Sequence, residues 1–180
     1  MIDELRLEGV RRPDDDDALV EFLSSNEWPF HMRLRPTQAD ARKRLEEGQY
    51  DPPENAAFWV VLDDRRIGFA ALEDLEDDAP LFDLRLAADA RGRGLGVRVL
   101  HMLAAEVFER YPKVRRFEGQ TREDNVAMRN TFLRAGWVKE AHYREGWPVE
   151  GSEPLASVAY AILRRDWETG MTTPVPWGDE

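Results

Sequence analysis

The residues best placed to do chemistry form one short run, Arg91-Gly92-Arg93-Gly94-Leu95-Gly96. An apolar strand pattern precedes it (Leu81, Phe82, Leu84, Leu86). A helical pattern follows it through Val97, Leu100, Leu103, Ala104, Val107 and Phe108. Glycines between a strand and a helix N-terminus leave backbone N–H groups free where the helix dipole adds partial positive charge, so the loop suits an anion, most often a phosphate. Two phosphate loops fail on spacing. A nucleoside-triphosphate loop needs Lys and then Ser or Thr after its last glycine, and here Val97 and Arg98 follow Gly96. A dinucleotide loop needs a third glycine where Val97 stands, and an acid at the end of the next strand, which the strand near Phe117 lacks. What remains is R-x-x-G-x-G at Arg91, Gly94 and Gly96. A plain tight turn would use the same glycines.

A second constellation lies downstream. Thr121-Arg-Glu-Asp-Asn125 leads into a short helical stretch that ends at Gly136-Trp137. Asn125 stands where an N-cap side chain accepts from the helix backbone, and Gly136 where a left-handed residue ends the helix. The two motifs in this order resemble the GNAT superfamily of acyl-CoA-dependent N-acyltransferases, well over residues 57–164 and loosely before them. The resemblance implies a mixed α/β single-domain fold with a twisted, mostly antiparallel seven-stranded sheet and about four helices. Its strands 4 and 5 splay apart, and the acyl-pantetheine arm lies in the gap. It implies acetyl-CoA as co-substrate and no metal. The amides from Gly92 through Leu95 and Gly96 to Val97 would hold the pyrophosphate. Backbone groups at Leu84 and Leu86 would run beside the pantetheine, with a backbone N–H there as oxyanion donor. Asn125 would face the arm.

Other roles have competing readings. Arg91 would add charge near the phosphates. Arg93 would do the same or be a solvated surface arginine. Arg129 would reach the cofactor or only water. Asp83 is an acid within an apolar run beside the acyl site, where burial would raise its pKa toward that of a general base; a solvated strand-start aspartate is the other reading. Glu118 and then Glu73 are the next candidates for the base. Family members carry a Tyr acid four residues before the Gly of Gly-Phe, where this chain has Phe132. Tyr143 is the substitute acid, or a packing residue. The acceptor pocket would draw on Trp28, His31 and Trp147, tryptophans that suit an amine through cation–π contact or else cover the core edge.

The resemblance implies a primary amine as acceptor, on a cationic small molecule, such as an aminoglycoside or polyamine, or on a peptide N-terminus. Gly136–Arg144 and Tyr160–Trp167 resemble the branch that acetylates N-termini of ribosomal proteins. A non-catalytic acyl-CoA-binding module is the alternative that Phe132 keeps open. Homodimers occur in the family, and nothing in the sequence fixes an interface.

Bulk properties bound the rest. The chain has 180 residues, 42% of them hydrophobic, which is enough for one domain with its own core. Its net charge of −11 argues against a direct nucleic-acid partner and favours a cationic one, or serves solubility alone. Zero cysteines exclude disulfides, thiolate metal sites and a cysteine nucleophile. His31, His101 and His142 lack metal-ligand spacing. No apolar run reaches membrane-span length and the N-terminus is not patterned as a secretory signal, so a cytoplasmic location is expected.

The elements that must position these residues follow from periodicity. A strand at Leu5–Val10 precedes a helix through Leu19, Val20, Phe22 and Leu23, a loop at 24–31, and a helix from Thr37 to Glu47. A hairpin follows at 58–62 and 67–72. Then come the strand 81–86, the long helix up to Tyr111-Pro112, a strand at 117–121, a helix at 126–135, and strands at 137–144 and 155–163. The acetyltransferase domain is expected to span residues 1–167. The Pro- and Gly-rich tail, 168–180, is read as mobile, unless Trp177 docks.

Overall fold

The computed structural model describes residues 4–178. The first three residues, part of the segment tested for a secretory signal, and the last two of the tail lie outside the described residues. The chain runs β1 (Leu5–Gly9), α1 (Asp16–Ser25), α2 (Gln38–Glu46), β2 (Ala56–Leu62), β3 (Arg65–Glu73) and β4 (Leu81–Leu86). It continues as α3 (Leu95–Arg110), β5 (Arg116–Arg122), α4 (Val126–Arg134), β6 (Val138–Trp147), β7 (Leu155–Leu163) and α5 (Arg164–Thr169), with a 3-10 turn at Ala88–Ala90 before α3. The seven strands form one sheet in the order β1-β2-β3-β4-β5-β7-β6. Every neighbouring pair is antiparallel except β4 and β5.

The alternation of side chains across β2 explains the layers. Phe58, Val60 and Leu62 face one way, and Ala57, Trp59 and Val61 the other. A strand with both faces buried reads as a continuous apolar run, which is what Ala-Ala-Phe-Trp-Val-Val-Leu is. The first face packs on α3 through Val99, Leu100, Leu103, Val107 and Phe108. The second packs on α1 and α2 through Leu19, Val20, Leu23, Ala41 and Leu45.

Local chemistry sets the boundaries. Thr37 caps α2 in a full capping box with Asp40. Asp63 and Asp64, both at positive φ, turn the β2–β3 hairpin as its twist requires. Asn125 caps α4 by accepting from the Met128 N–H at 3.2 Å. Gly136, at φ +80°, ends it. The short α5 is an element that periodicity did not forecast. Trp167 docks it on Phe108, ring centroids 5.5 Å apart, and Asp166 receives the N–H and hydroxyl of Thr173.

Strands β4 and β5 share a single rung, Leu81 opposite Glu118. Beyond it they diverge. The Pro80 carbonyl accepts from the Glu118 N–H, and the Ala87 N–H turns the other way, to Ile67. Backbone direction alternates along a strand, so Leu84 and Leu86 point their N–H and C=O groups into the gap.

Leu103 is fully buried where α3 crosses the sheet. Leu103→Ala should therefore destabilise the fold by about 2–5 kcal/mol, read as a lower urea midpoint with unchanged slope.

Candidate functional site

Two cavities meet at the β4–β5 gap. The first, about 360 Å³, is walled by the end of β4, by the loop into α3 (Gly92, Gly94 and Gly96 with Leu95 and Val97), and by α4. The second, about 370 Å³, is walled by the loop after α1, by α2, by the start of β4, and by Trp147. Phe30, His31, Leu84, Arg85, Asn125 and Met128 line both, so a bound molecule in one reaches the other past Leu84.

The first cavity is built to receive an extended anionic ligand. Gly94 is the N-cap of α3 at φ +75°, a conformation that costs any L-residue, and it bares the first-turn amides of a 16-residue helix. Gly96 brings α3 against α4: a Cβ there would lie 3.0 Å from Thr131 Cγ2. Helix α4 presents Ala127, Asn130, Thr131 and Arg134 to the cavity. That i, i+3, i+4, i+7 set is one helical face. The residues fit the phosphates and pantetheine of an acyl-CoA: helix-terminus amides at one end, and unpaired strand amides at Leu84 and Leu86 at the other.

Several expected cofactor contacts are placed differently. Arg91 lines the first cavity, but its guanidinium makes its bonds within the protein. Its guanidinium donates to the Leu86 carbonyl at 2.8 Å and the Glu27 carbonyl at 2.6 Å, and stacks over Trp28. Arg91 thus ties the glycine loop to the loop after α1. Burial lowers its pKa from the ordinary arginine value. Arg93 lies outside the cavity wall. Arg129 turns away: it donates to the Glu123 carbonyl at 2.8 Å and approaches the Tyr160 hydroxyl at 3.4 Å. Arg134 and Asn130 take the position expected for it. The period of α4 could have shown this, because Arg129 lies off the face that carries them. Asn125 lines both cavities while it caps α4 and donates to Thr121 Oγ1 at 2.9 Å.

The candidate acids and bases divide clearly. Asp83 sits on the second cavity's wall, but its expected upward shift is reversed. Burial acts to raise its carboxyl, and Arg85 and His31 overcome this and hold it far below the usual carboxylate range. His31 Nε2 is 2.9 Å from one of its oxygens and Arg85 Nε is 2.8 Å from the other. A carboxylate so committed is a poor proton acceptor. Glu73 behaves the opposite way. Although much of the residue reaches solvent, the surroundings of its carboxyl and the neighbouring charge of Asp83 raise its pKa. Glu118 lies outside both cavities, paired with Arg116 at 2.8 Å. Tyr143 is half exposed on β6, also away from both. Phe132 is fully buried, stacked on Tyr160 at 4.7 Å. Among the described residues no tyrosine lines either cavity.

The expected acceptor residues are all near the gap. Trp28 is buried, with its indole N–H on the Leu23 carbonyl and its ring against Arg85 and Arg91. It is a wall rather than a contact surface. His31 and Trp147 line the second cavity. Arg85, buried on β4, and Arg33 and Arg44 on the same cavity were missed. No local pattern marks them, since α2 is packed against the opening only by the fold. Among the described residues no group of His, Cys, Asp or Glu could hold a metal ion, and no helix is long and apolar enough to cross a membrane.

With this geometry in place, comparison with known proteins is direct. A family model for the acetyltransferase (GNAT) domain matches residues 4–138, and the chain belongs to that family. Among solved structures, the spermidine N-acetyltransferase of Vibrio cholerae in complex with CoA and spermine is 16% identical, over 91% of this chain and 98% of its own, at a TM-score of 0.73. The aminoglycoside acetyltransferase AAC(6')-Ib, in complex with ribostamycin and coenzyme A, is 20% identical, over 92% and 97%, at 0.73. At these identities the likeness is one of fold.

The Asp83 geometry has a pH signature. A carboxyl with a depressed folded-state pKa stabilises the protein fully above its unfolded value and loses that contribution as pH falls. The stability advantage of the parent over Asp83→Asn should be constant near neutrality and shrink below about pH 4, the unfolded carboxylate range. Chemical denaturation at several pH values reads it. A gap that widened toward acid would contradict the pairing.

Proposed function

We propose that the protein is an acetyl-CoA-dependent N-acetyltransferase that joins acetyl-CoA and a primary amine in one ternary complex. The observation that carries this reading is the meeting of the two cavities at Leu84, with an amide-rich cleft on one side and a polar pocket on the other. Acetyl-CoA supplies an activated acyl carbon as a thioester. The chain's own residues do the rest. The amides at the start of α3 neutralise the phosphates, and Leu84 and Leu86 align the arm like an added strand. The Leu84 N–H faces the gap and is the donor for the negative charge that develops on the carbonyl oxygen.

The amine must be neutral to attack. Its nitrogen lone pair forms the C–N bond as the C–S bond breaks; the nitrogen proton passes to a base and the departing thiolate takes up a proton from solvent. Glu73 is the base we favour, directly or through water, because its raised pKa moves it toward the proton affinity that a general base requires. Asp83 is assigned a positioning role instead: it holds His31 and Arg85 at the junction. Holding both substrates in line supplies much of the acceleration.

The acceptor amine belongs to a small molecule or to a peptide N-terminus. The fold relatives named above act on polyamines and aminoglycosides, and the sequence resemblance to the ribosomal-protein branch favours a peptide. A binding module without chemistry is the second reading, favoured by Phe132 and by the lack of a tyrosine in either cavity wall.

Two variants separate these roles. Gly94→Val forces a β-branched residue to φ +75° at the helix N-cap, where a Cβ meets nothing within 4 Å. It should weaken CoA binding at least ~10-fold by calorimetry, with only a few degrees lost in Tm. Unchanged affinity would remove the phosphate role from the loop. Glu73→Gln should lower kcat by about 10²-fold or more while CoA affinity stays within about twofold. Equal pH–rate profiles for parent and variant would assign the base elsewhere.

A further inference from the structure

The chain carries a net charge of −11, yet the wall of the acceptor cavity reverses that sign: Arg33, Arg44 and Arg85 face it against Glu73 and Asp83. Pairing within the protein sorts these charges. Asp83 is used by His31 and Arg85, at 2.9 and 2.8 Å. Arg33 is used by Asp40 at 2.5 Å, with Glu150 at 3.7 Å. Arg44 is different. It is half-buried on α2, with the electrostatic influence of Tyr50 acting on it, and among the described residues no carboxylate lies at ion-pair distance from it. Burial works against its charge, and the field of Tyr50, Asp83 and Glu73 more than offsets this, so Arg44 stays a cation. On the same wall, the Trp147 indole N–H is buried without an acceptor. Indole nitrogen can only donate, so the missing partner must be an oxygen or other acceptor.

A polycation suits this cavity poorly. It would set like charge beside Arg44, whose charge no carboxylate pairs, and leave the Trp147 donor unmet. An acceptor with an acid group answers both. We propose that the acceptor is a primary amine carrying a carboxylate on the same molecule, with the carboxylate held by Arg44 and the amine on the Glu73 side of the cavity, toward Leu84. This rests on the acetyltransferase reading and narrows it. A guanidinium–carboxylate contact of this kind is charge-assisted and discriminates by about tenfold or more against a partner of the wrong sign. Two sources carry the chemistry: a small amino acid, and a peptide whose first residue is followed by an acidic one.

The test uses matched acceptors with the whole chain and acetyl-CoA. 4-Aminobutyrate is set against 1,4-diaminobutane, and 6-aminohexanoate against 1,6-diaminohexane. Short peptides with Glu or Lys after the first residue form the second arm. The carboxylate-bearing member should have the higher kcat/KM by about tenfold or more in at least one arm, and that arm names the source. Arg44→Gln should erase the ratio, and Arg44→Lys, which keeps the charge, should retain most of it. Faster or equal turnover of the diamines and Lys peptides overturns the inference and leaves acetyl transfer standing. A ratio unchanged in Arg44→Gln overturns the role of Arg44. If no acceptor of either sign turns over, calorimetry on the CoA-loaded protein decides. Tighter binding of the carboxylate-bearing members keeps the inference while acetyl transfer fails, and equal binding removes both. Should Arg44→Gln not fold, the comparison of acceptors on the parent protein settles the sign of charge by itself.

Discussion

The structure depends on one broken pairing. A sheet interior normally satisfies every backbone N–H and C=O, and an unpaired edge is a liability. Here β4 and β5 share one rung and then part, which leaves the inner groups of Leu84 and Leu86 without a strand partner. The Leu86 carbonyl is met by Arg91. The Leu84 groups face a cavity. The opening persists because what surrounds it is rigid: β3 pairs with β4 along its whole length, β7 pairs with β5 over seven residues, and α3 spans the face beneath. A gap held open on three sides offers preformed hydrogen-bonding groups, and so its ligand gains affinity without the protein having to reorganise.

The charged groups at the junction follow from the same opening. Asp83 and Arg85 alternate with Leu84 along β4, so their side chains lie on the face opposite to that of Leu84. Arg85 is buried there, which would be prohibitive without a partner. Asp83 is that partner, and His31 completes it from the loop after α1. Asp83 thus bonds both neighbours, one through each carboxylate oxygen, while His31 Nδ1 is buried without a partner. The acid that a strand pattern marks as conspicuous is therefore occupied, and the carboxyl with a raised pKa lies one strand away, at Glu73 on β3. Glu73 is raised partly because Asp83 stays ionised.

How much of this was legible in the sequence depends on the range of the interaction. The glycine loop, the Asn125 cap, the Gly136 stop and the doubly buried β2 are local: each residue acts on neighbours within a few positions, and their types state the geometry. The sheet with its splayed pair came from the resemblance and was found. The sign of the Asp83 shift was not legible, because it is set by His31, fifty-two positions earlier, and by which way Arg85 turns. Arg44 was invisible for the same reason. On a polar helix, one arginine among Arg42, Lys43 and Arg44 looks like any other until the fold puts Tyr50 beside it. Arg91 is the subtler case. It lines the first cavity, and its bonds to the Leu86 and Glu27 carbonyls were not legible, since carbonyl groups leave no trace in the residue types.

Arg91 also joins the glycine loop to the loop that walls both cavities. Its guanidinium bonds Leu86 at the gap and Glu27 in the loop that carries Trp28 and His31, while Arg122 at the end of β5 donates to Pro29 in that loop at 3.1 Å. The loop 27–31 is therefore fastened to both splayed strands, one arginine on each side of the opening. Its two aromatic residues stack on those arginines, Trp28 under Arg91 and Phe30 under Arg122. A loop held this way cannot close over one cavity without shifting a wall of the other. The loop and the two strand ends therefore form one continuous wall shared by both cavities, since Phe30 and His31 line each of them.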